Sequence, residues 1–148
     1  MSGINKQEQK KNITIGAVLG EAVWLMSQSK RHRNNFFLGD LEWLIMQPII
    51  EGQFRIFHNE GKPIGAVFWA FVSPEVEKRL EMGMSKLKLT DWRSGSQLWL
   101  IDLVAPFGHA EKLIEELKET TLADYEFKSL RITPEGERSV ARYKGKNK

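Results

Sequence analysis

The sequence of 148 residues contains no cysteine, which excludes a disulfide scaffold, thiolate metal sites and a cysteine nucleophile. Its three histidines, His32, His58 and His109, are too scattered for a histidine-only metal cage, so we predict no metal site. Glycine-rich phosphate loops, the HExxH metalloprotease motif and the GxSxG hydrolase motif do not occur in the sequence. The longest apolar run, Ile64–Val72, is about half the roughly twenty residues that span a bilayer, so we expect no stable membrane insertion.

The composition is that of an ordinary globular domain. Hydrophobic residues make up 41% and charged residues 28%, and 22 Lys and Arg against 19 Asp and Glu give a net charge of +3. We predict a disordered N-terminal tail at residues 1–12, one domain at residues 13–143 and a polar C-terminal tail at residues 144–148, with both tails frayed. No apolar export segment opens the chain, so we expect a cytoplasmic protein.

Hydrophobic periodicity predicts the element order α-α-β-β-α-β-α-β-β, which indicates an α/β (α+β) fold with a mixed central sheet flanked by helices. A first helix is predicted over Ile15–Met26, with Thr14 as its N-cap and the polar stretch Ser27–Asn35 as its end. A second helix follows and closes at Pro48. Of two later helices, one begins at Ser73, its predicted N-cap, and the other begins at His109. The predicted strands are Gln53–Asn59, Lys62–Val72, Leu98–Val104, Phe127–Thr133 and Arg138–Tyr143. A hairpin turn at Asn59-Glu60-Gly61, with the glycine available for positive φ, is predicted between the first two.

His32 is the most suggestive candidate for chemistry because it lies in a short basic stretch just after the first helix. The flanking cations favour a neutral imidazole, which can act as a general base. An exposed histidine in a basic loop is the alternative interpretation. Ser29 is a further polar candidate for a supporting role, although a helix C-terminal contact explains a serine there equally well.

Asp102 is the second candidate, since apolar residues flank it on both sides within a predicted strand. Burying a carboxylate is costly unless it is paired or hydrogen-bonded, so buried carboxylates collect at functional sites. A structural hydrogen bond, or an edge position facing solvent, explains the residue equally well. If both candidates are functional, the carboxylate fixes the tautomer of His32 and stabilises its imidazolium, and the nucleophile comes from the substrate.

The tryptophan content is high for the length, and we predict that most of these side chains are core. An acyl-chain pocket or a subunit interface is the sharper alternative. The tryptophans are Trp24, Trp43, Trp69, Trp92 and Trp99.

Near the C-terminus, Arg131, Arg138 and Arg142 form a basic patch with the lysine-rich tail. No RNP, KH or OB signature accompanies the patch, so we predict no nucleic-acid partner, and an acidic protein fits it at least as well.

Two ordered motifs carry a family resemblance. The first contains Leu19-Gly20, Trp24-Leu25, Ser29 and His32-Arg33; the second contains Ser94-Gly95, Trp99, Ile101-Asp102 and Ala105-Pro106-Phe107-Gly108. Pro63, Trp69-Ala70 and Arg131 match further positions. Read together, these motifs resemble the signatures of the RTX toxin-activating lysine acyltransferases, and the likeness spans roughly residues 19–143. The sequence departs from the usual family pattern at Ala66, Ser96, Gln97 and Leu103, which leaves the acyl-chain length and the protoxin open.

The resemblance implies a GNAT-like acyltransferase fold and a cytoplasmic homodimer. It implies an enzyme that moves a long-chain fatty acyl group from acyl carrier protein to internal lysine ε-amines of an RTX protoxin, which activates the toxin. In this family the catalytic residues correspond to His32 and Asp102, and the motif serine corresponds to Ser29. No permanently bound cofactor is implied, and no cofactor-binding residue is identified. Acyl-acyl carrier protein is the donor substrate, which suits the missing glycine-rich pyrophosphate loop.

Two mechanisms stay open at this point. His32 either removes a proton from the substrate lysine, whose pKa lies near ~10.4, or attacks the thioester itself and forms an acyl-histidine. The alternative function is a non-catalytic basic binding module for a protein or RNA partner. Such a module has no need of a carboxylate between Ile101 and Leu103.

Overall fold

The computed structural model describes residues 14–148, so the predicted N-terminal tail at residues 1–12 lies outside the described residues. Its centre is a five-stranded sheet whose order follows the chain, and only the β3–β4 pair is parallel. The strands are β1 (Phe54–Asn59), β2 (Lys62–Val72), β3 (Gln97–Val104), β4 (Glu126–Ile132) and β5 (Arg138–Lys144). The predicted mixed sheet flanked by helices is therefore confirmed, and the arrangement is consistent with a GNAT-like fold.

The helices match the predicted positions, with two corrections in the N-terminal third. They are α1 (Ile15–Gln28), α2 (Lys30–Asn35), α3 (Gln47–Glu51), α4 (Pro74–Glu81) and α5 (Ala110–Glu119), with 3₁₀ turns at Leu38–Asp40 and Leu89–Trp92 and a π-helical turn at Glu42–Met46. The side chains of Thr14 and Ser73 accept from Ala17 N–H and Val76 N–H, so both predicted N-caps are confirmed.

The first correction concerns the polar stretch Ser27–Asn35, which contains the short helix α2 rather than a loop alone. No apolar period marks such a helix in the sequence, because only His32 among its six residues is buried. The second correction concerns Pro48. The chain stays helical to Glu51, and Pro48 lies in the first turn of α3, directly after the π-helical turn that precedes it.

The β1–β2 hairpin turns at Glu60 and Gly61, whose φ angles are 51° and 78°. Positive φ at both central residues is the geometry of a two-residue hairpin loop, which matches the twist of the flanking strands. The glycine predicted at this turn is therefore needed for its conformation.

The sheet carries a hydrophobic layer on each face. On one face Ala66, Phe68 and Ala70 of β2 pack with Leu25 of α1 and Ile45 of the π-helical turn. On the other face alternate β2 residues, together with Leu98 and Leu100 of β3, pack with the buried side of α5. Helices on both faces explain why β2 is almost continuously apolar in sequence.

An irregularity in β3 determines the direction of Asp102. Trp69 pairs with Leu100 and Phe68 pairs with Asp102, so Ile101 is an extra residue without a partner in the β2–β3 ladder. Strict alternation would place Asp102 beside Leu100 on the α5 face. The extra residue places it instead in register with Phe68, on the face that α1 and α2 cover.

The C-terminal residues are not frayed as expected. The backbone N–H groups of Gly145 and Asn147 donate to the carbonyls of Tyr125 and Ala123, and the Asn147 amide donates to the Asp124 carboxylate at 2.6 Å. These polar residues are held by backbone hydrogen bonds rather than by apolar burial, which composition does not reveal. The division of the chain at residues 13 and 143 stays a prediction.

Candidate active site

Ser29 sits at the junction between the two N-terminal helices, where it ends α1 and begins α2. Its φ and ψ angles of −93° and 120° are extended, and its carbonyl accepts from Arg33 N–H. A serine at a helix start usually caps a backbone N–H with its hydroxyl, but the Ser29 hydroxyl makes no such bond. It lies instead 2.7 Å from Nδ1 of His32. The helix C-terminal contact that was the alternative explanation for this serine is likewise not made by its hydroxyl within residues 14–148.

His32 is buried, with 4% of its surface exposed, although its neighbours Arg31 and Arg33 are exposed. Its Nε2 lies 2.8 Å from Oδ2 of Asp102, a residue seventy positions away in the chain. The alternative of an exposed histidine in a basic loop is contradicted by this burial. The structure brings all three sequence-predicted residues together in one line, Ser29–His32–Asp102.

Asp102 lies in the central strand of five and is buried, so the edge-strand interpretation is also wrong. Burial alone would raise the pKa of its carboxyl, but the hydrogen bond from His32 and the charges of His32 and Arg31 outweigh burial and lower that pKa below its usual value. The carboxylate is therefore an acceptor for both neighbours, and Nε2 of His32 carries the hydrogen in this bond. In the neutral imidazole, Nδ1 then holds the lone pair and accepts from the Ser29 hydroxyl.

Arg31 makes a contact with Asp102 that the sequence did not reveal. Its Nη2 donates to Oδ1 of Asp102 at 2.9 Å and to the carbonyl oxygen of Leu103 at 3.1 Å. The carboxylate thus uses one oxygen for His32 and the other for Arg31. In sequence Arg31 is one of several cations around His32, and no local signal distinguishes it.

A large groove opens beside the carboxylate because strands β3 and β4 separate. Their parallel pairing covers only Trp99 with Lys128 and Leu100 with Ser129, and it ends where β3 is irregular. The groove beyond that point has a volume of about 510 Å³. Its apolar lining is mainly aliphatic, with Leu103, Ile114 and Ile132 among the contributors. Charged side chains also line it, namely Arg31, Asp102, Glu111 and Arg131.

A smaller cavity of about 210 Å³ lies on the imidazole side and is lined by His32, Asp102, Phe36, Trp43 and Asp40 among others. Arg31, Ile101 and Asp102 line both cavities, so the two cavities adjoin at these three residues. The Asp40 carboxylate accepts from Trp43 Nε1 at 3.0 Å and from Phe37 N–H at 2.9 Å, and these hydrogen bonds lower the pKa of its carboxyl. The charged and titratable lining of the smaller cavity is therefore an imidazole, two carboxylates and the Arg31 guanidinium.

The tryptophans divide between core and surface. Trp69, Trp92 and Trp99 are buried, which confirms the core prediction for them. Trp43 lines the smaller cavity, and Trp24 is 45% exposed with its ring centroid 6.0 Å from that of Phe107. Within the described part of the chain, no tryptophan lines the larger groove, whose one aromatic side chain is Tyr143, so the alternative of a tryptophan-lined acyl-chain pocket does not apply to it.

Within residues 14–148 no three His, Asp or Glu side chains converge as a set of metal ligands. In the same part of the chain, no helix is both long and apolar enough to cross a membrane.

Comparison with known proteins gives matches over most of the chain. Residues 11–144 match the family model HlyC, described as the RTX toxin acyltransferase family. The leukotoxin-activating lysine-acyltransferase LtxC of Aggregatibacter actinomycetemcomitans is 35% identical over 115 residues, which cover 78% of this chain and 67% of that protein. The protein-lysine myristoyltransferase RtxC of Kingella kingae is 30% identical over 132 residues, which cover 87% of this chain and 77% of that protein. An uncharacterized protein of Synechocystis sp., sll0720, is 32% identical over 126 residues, which cover 82% of this chain and 83% of that protein.

Proposed function

Because the chain belongs to the RTX toxin acyltransferase family, we propose that it transfers a long-chain fatty acyl group to internal lysine ε-amines of an RTX protoxin and so activates the toxin. Relatives named as leukotoxin-activating lysine-acyltransferase and protein-lysine myristoyltransferase support the lysine acceptor and the fatty acyl group. The proposed catalytic residues are His32 and Asp102, and Ser29 supports them.

The observation that carries the proposal is the buried His32–Asp102 pair, which lines a cavity and is extended by the half-buried Ser29 hydroxyl on Nδ1 of His32. A carboxylate in the middle of a sheet costs stability unless it is paired, and here both of its oxygens are used. A binding module gains nothing from that arrangement, whereas an enzyme gains an imidazole with a fixed tautomer.

In the proposed mechanism the substrate lysine enters the smaller cavity, where the Asp40 and Asp102 carboxylates attract its ammonium group. Nδ1 of His32 accepts a proton from the lysine through the Ser29 hydroxyl, and Asp102 stabilises the resulting imidazolium. The amine nitrogen then attacks the thioester carbonyl carbon. The carbon–nitrogen bond forms, the carbon–sulfur bond breaks, and the departing thiolate takes the proton that His32 holds. The neutral imidazole then accepts the second proton of the new amide nitrogen and releases it to solvent.

The contacts of the imidazole favour general-base catalysis over an acyl-histidine intermediate. Nε2 is held by Asp102, and the Nδ1 lone pair faces the Ser29 oxygen at 2.7 Å. To reach Nδ1, a thioester carbonyl carbon would have to displace the Ser29 hydroxyl and approach the His32 side chain, which is only 4% exposed. A proton passes along these hydrogen bonds without any such displacement.

We assign the donor to the larger groove. Its aliphatic lining suits a fatty acyl chain, since burying each methylene is worth about 0.8 kcal/mol. The groove reaches Asp102, so a thioester carbonyl at its inner end lies beside the cavity that holds the lysine. Acyl carrier protein is the proposed donor, and the cytoplasm, where such thioesters are made, is the proposed location.

The central test is the variant His32→Ala, with His58→Ala as a matched control. His58 is an exposed histidine whose Nε2 lies 2.8 Å from the Glu21 carboxylate, and it lines neither cavity. With acyl-acyl carrier protein and a protoxin, read by intact mass, His32→Ala should lose about 10²–10⁴ in rate while His58→Ala keeps the wild-type rate. Normal acylation by a folded His32→Ala would refute the assignment. An inactive wild type would favour the non-catalytic binding module.

The donor is tested by comparing acyl carrier protein and coenzyme A thioesters of one fatty acid at equal concentration. We expect the carrier-protein thioester to react faster and its advantage to shrink as salt rises, because a basic surface attracts an acidic carrier electrostatically. Equal rates at all salt concentrations would contradict recognition of the carrier.

A homodimer is also proposed for this protein. Phe37 and Leu38 are 72% and 84% exposed, an unusual position for adjacent large apolar side chains that a second copy could cover. Light scattering should give twice the chain mass of 17.1 kDa, and the double variant Phe37→Ser/Leu38→Ser should lower it to one chain. A monomeric wild type would rule the dimer out.

A further inference from the structure

Arg31 reaches the one oxygen of Asp102 that the imidazole does not use. Its Nη2 lies 2.9 Å from Oδ1, while Nε2 of His32 lies 2.8 Å from Oδ2. A carboxylate held at both oxygens by donors has a fixed rotation about its terminal bond. Since His32 follows Arg31 in the same short helix, α2 supplies both donors from adjacent residues.

The second contact of Arg31 compensates for the separation of β3 and β4. The β4 pairing ends at Leu100, and the carbonyl of Leu103, farther along β3, accepts from Arg31 Nη2 at 3.1 Å. The guanidinium therefore ties α2 to the part of β3 that has no partner strand on that side. This connection lies where the two cavities adjoin.

We propose that Arg31 is a positioning residue for the proposed acyl transfer: by binding Oδ1 of Asp102 and the Leu103 carbonyl, it holds the carboxylate in the orientation that fixes the His32 tautomer. The inference rests on the proposed function for its kinetic consequences but not for its structural ones. Arg31 itself contacts no reacting atom in this scheme and acts through Asp102.

The charged and titratable groups around Asp102 define what a pH measurement reports. Helix α2 presents Arg31 and His32, and the residue opposite on β2 is Phe68, which does not titrate. The cavity walls add a further set from the remaining elements, namely Asp40, Glu111, Arg131 and Tyr143. Removing the Arg31 cation therefore leaves His32 as the only donor in contact with Asp102 among these groups, and the dyad becomes easier to protonate.

The test compares Arg31→Gln and Arg31→Lys with Lys78→Gln, which removes one cation from α4, an exposed position that lines neither cavity. In Arg31→Gln we expect a loss of about three- to tenfold in kcat with little change in KM for the protoxin. The acid limb of kcat/KM should move to higher pH by a few tenths of a unit, a modest shift because Arg31 is 65% exposed and screened by solvent. Arg31→Lys should restore the acid limb and only part of kcat, because lysine keeps the charge on a more flexible stem. Lys78→Gln should match the wild type.

A second readout does not depend on activity. The chain has four aspartates, so carboxyl carbon NMR of aspartate-labelled protein resolves Asp102, assigned by its disappearance in Asp102→Asn. The titration midpoint of Asp102 should rise in Arg31→Gln and stay near the wild-type midpoint in Arg31→Lys. If the midpoint, the acid limb and kcat are all unchanged in folded Arg31→Gln, the proposal is overturned. If the wild type transfers no acyl group, the proposed function fails, and the NMR titration still decides the role of Arg31.

Discussion

Asp102→Asn is the substitution for which the geometry makes the sharpest prediction. The carboxylate accepts from two donors, His32 Nε2 and Arg31 Nη2, but asparagine has a single oxygen. If that oxygen faces Arg31, the amide NH₂ faces Nε2 and selects the tautomer with hydrogen on Nδ1, which can no longer act as the base. If it faces His32, the NH₂ opposes the guanidinium. We expect acylation to fall by about 10²–10⁴, or roughly 3–5 kcal/mol of transition-state stabilisation.

The same substitution should cost less stability than activity. One charge-assisted hydrogen bond is lost, but the desolvation cost of a buried anion disappears with it, so we expect about 1–3 kcal/mol and a Tm lower by roughly 3–10 °C. Acyl transfer measured well below Tm, together with a thermal melt on the same preparation, separates the two effects. A destabilised variant with the wild-type rate per folded molecule would show that Asp102 is structural and refute the reasoning.

Three further predictions follow from the contacts. Ser29→Ala should lower the rate about 10- to 100-fold with an unchanged Tm, since within residues 14–148 its hydroxyl bonds only the imidazole; an unchanged rate would remove it from the proton path. The folded-state pKa of Asp102 is lowered, so its contribution to stability is present above its unfolded pKa of about 3.9 and is lost as pH falls through the folded pKa. The Tm of the wild type minus the Tm of Asp102→Asn should therefore be constant above about pH 5 and fall towards zero in stronger acid. A difference that grows in stronger acid would contradict this direction of the pKa shift. Gly65→Ala should destabilise by about 1–3 kcal/mol, because its Cβ would clash with Leu113, yet keep the wild-type rate per folded molecule; a selective loss of rate would mean that packing under α5 reaches the site.

Local sequence rules predicted the features that depend on neighbouring residues. The caps at Thr14 and Ser73 and the turn at Gly61 each follow from a side chain or a backbone angle within a few positions. The short helix α2 was missed because helical periodicity needs several apolar residues and this helix buries only one. The helix beyond Pro48 was missed because a proline inside a first turn looks the same in sequence as one that ends a helix.

The site was predicted as a set of residues but not as a geometry. His32 and Asp102 were singled out by residue type and surroundings, and the family resemblance supported the pair. The extra residue Ile101 has no sequence signal, because its effect lies in the pairing of β3 with β2. The Arg31 contact with Asp102 spans 71 positions, so only the tertiary structure distinguishes Arg31 from the other cations near His32.

The separation of the two catalytic candidates along the chain has a consequence for how activity responds to local unfolding. The imidazole is carried by a helical unit, α1 and α2, which packs on one face of the sheet, whereas the carboxylate belongs to the sheet itself. Sub-global openings in proteins require less free energy than complete unfolding, and a terminal helical unit is a natural place for one. Undocking of α1 and α2 would disconnect the proton path while the five strands remain paired. Acyl transfer would then be lost at a temperature or denaturant concentration below the main transition, and amide exchange in α1 would report the same opening.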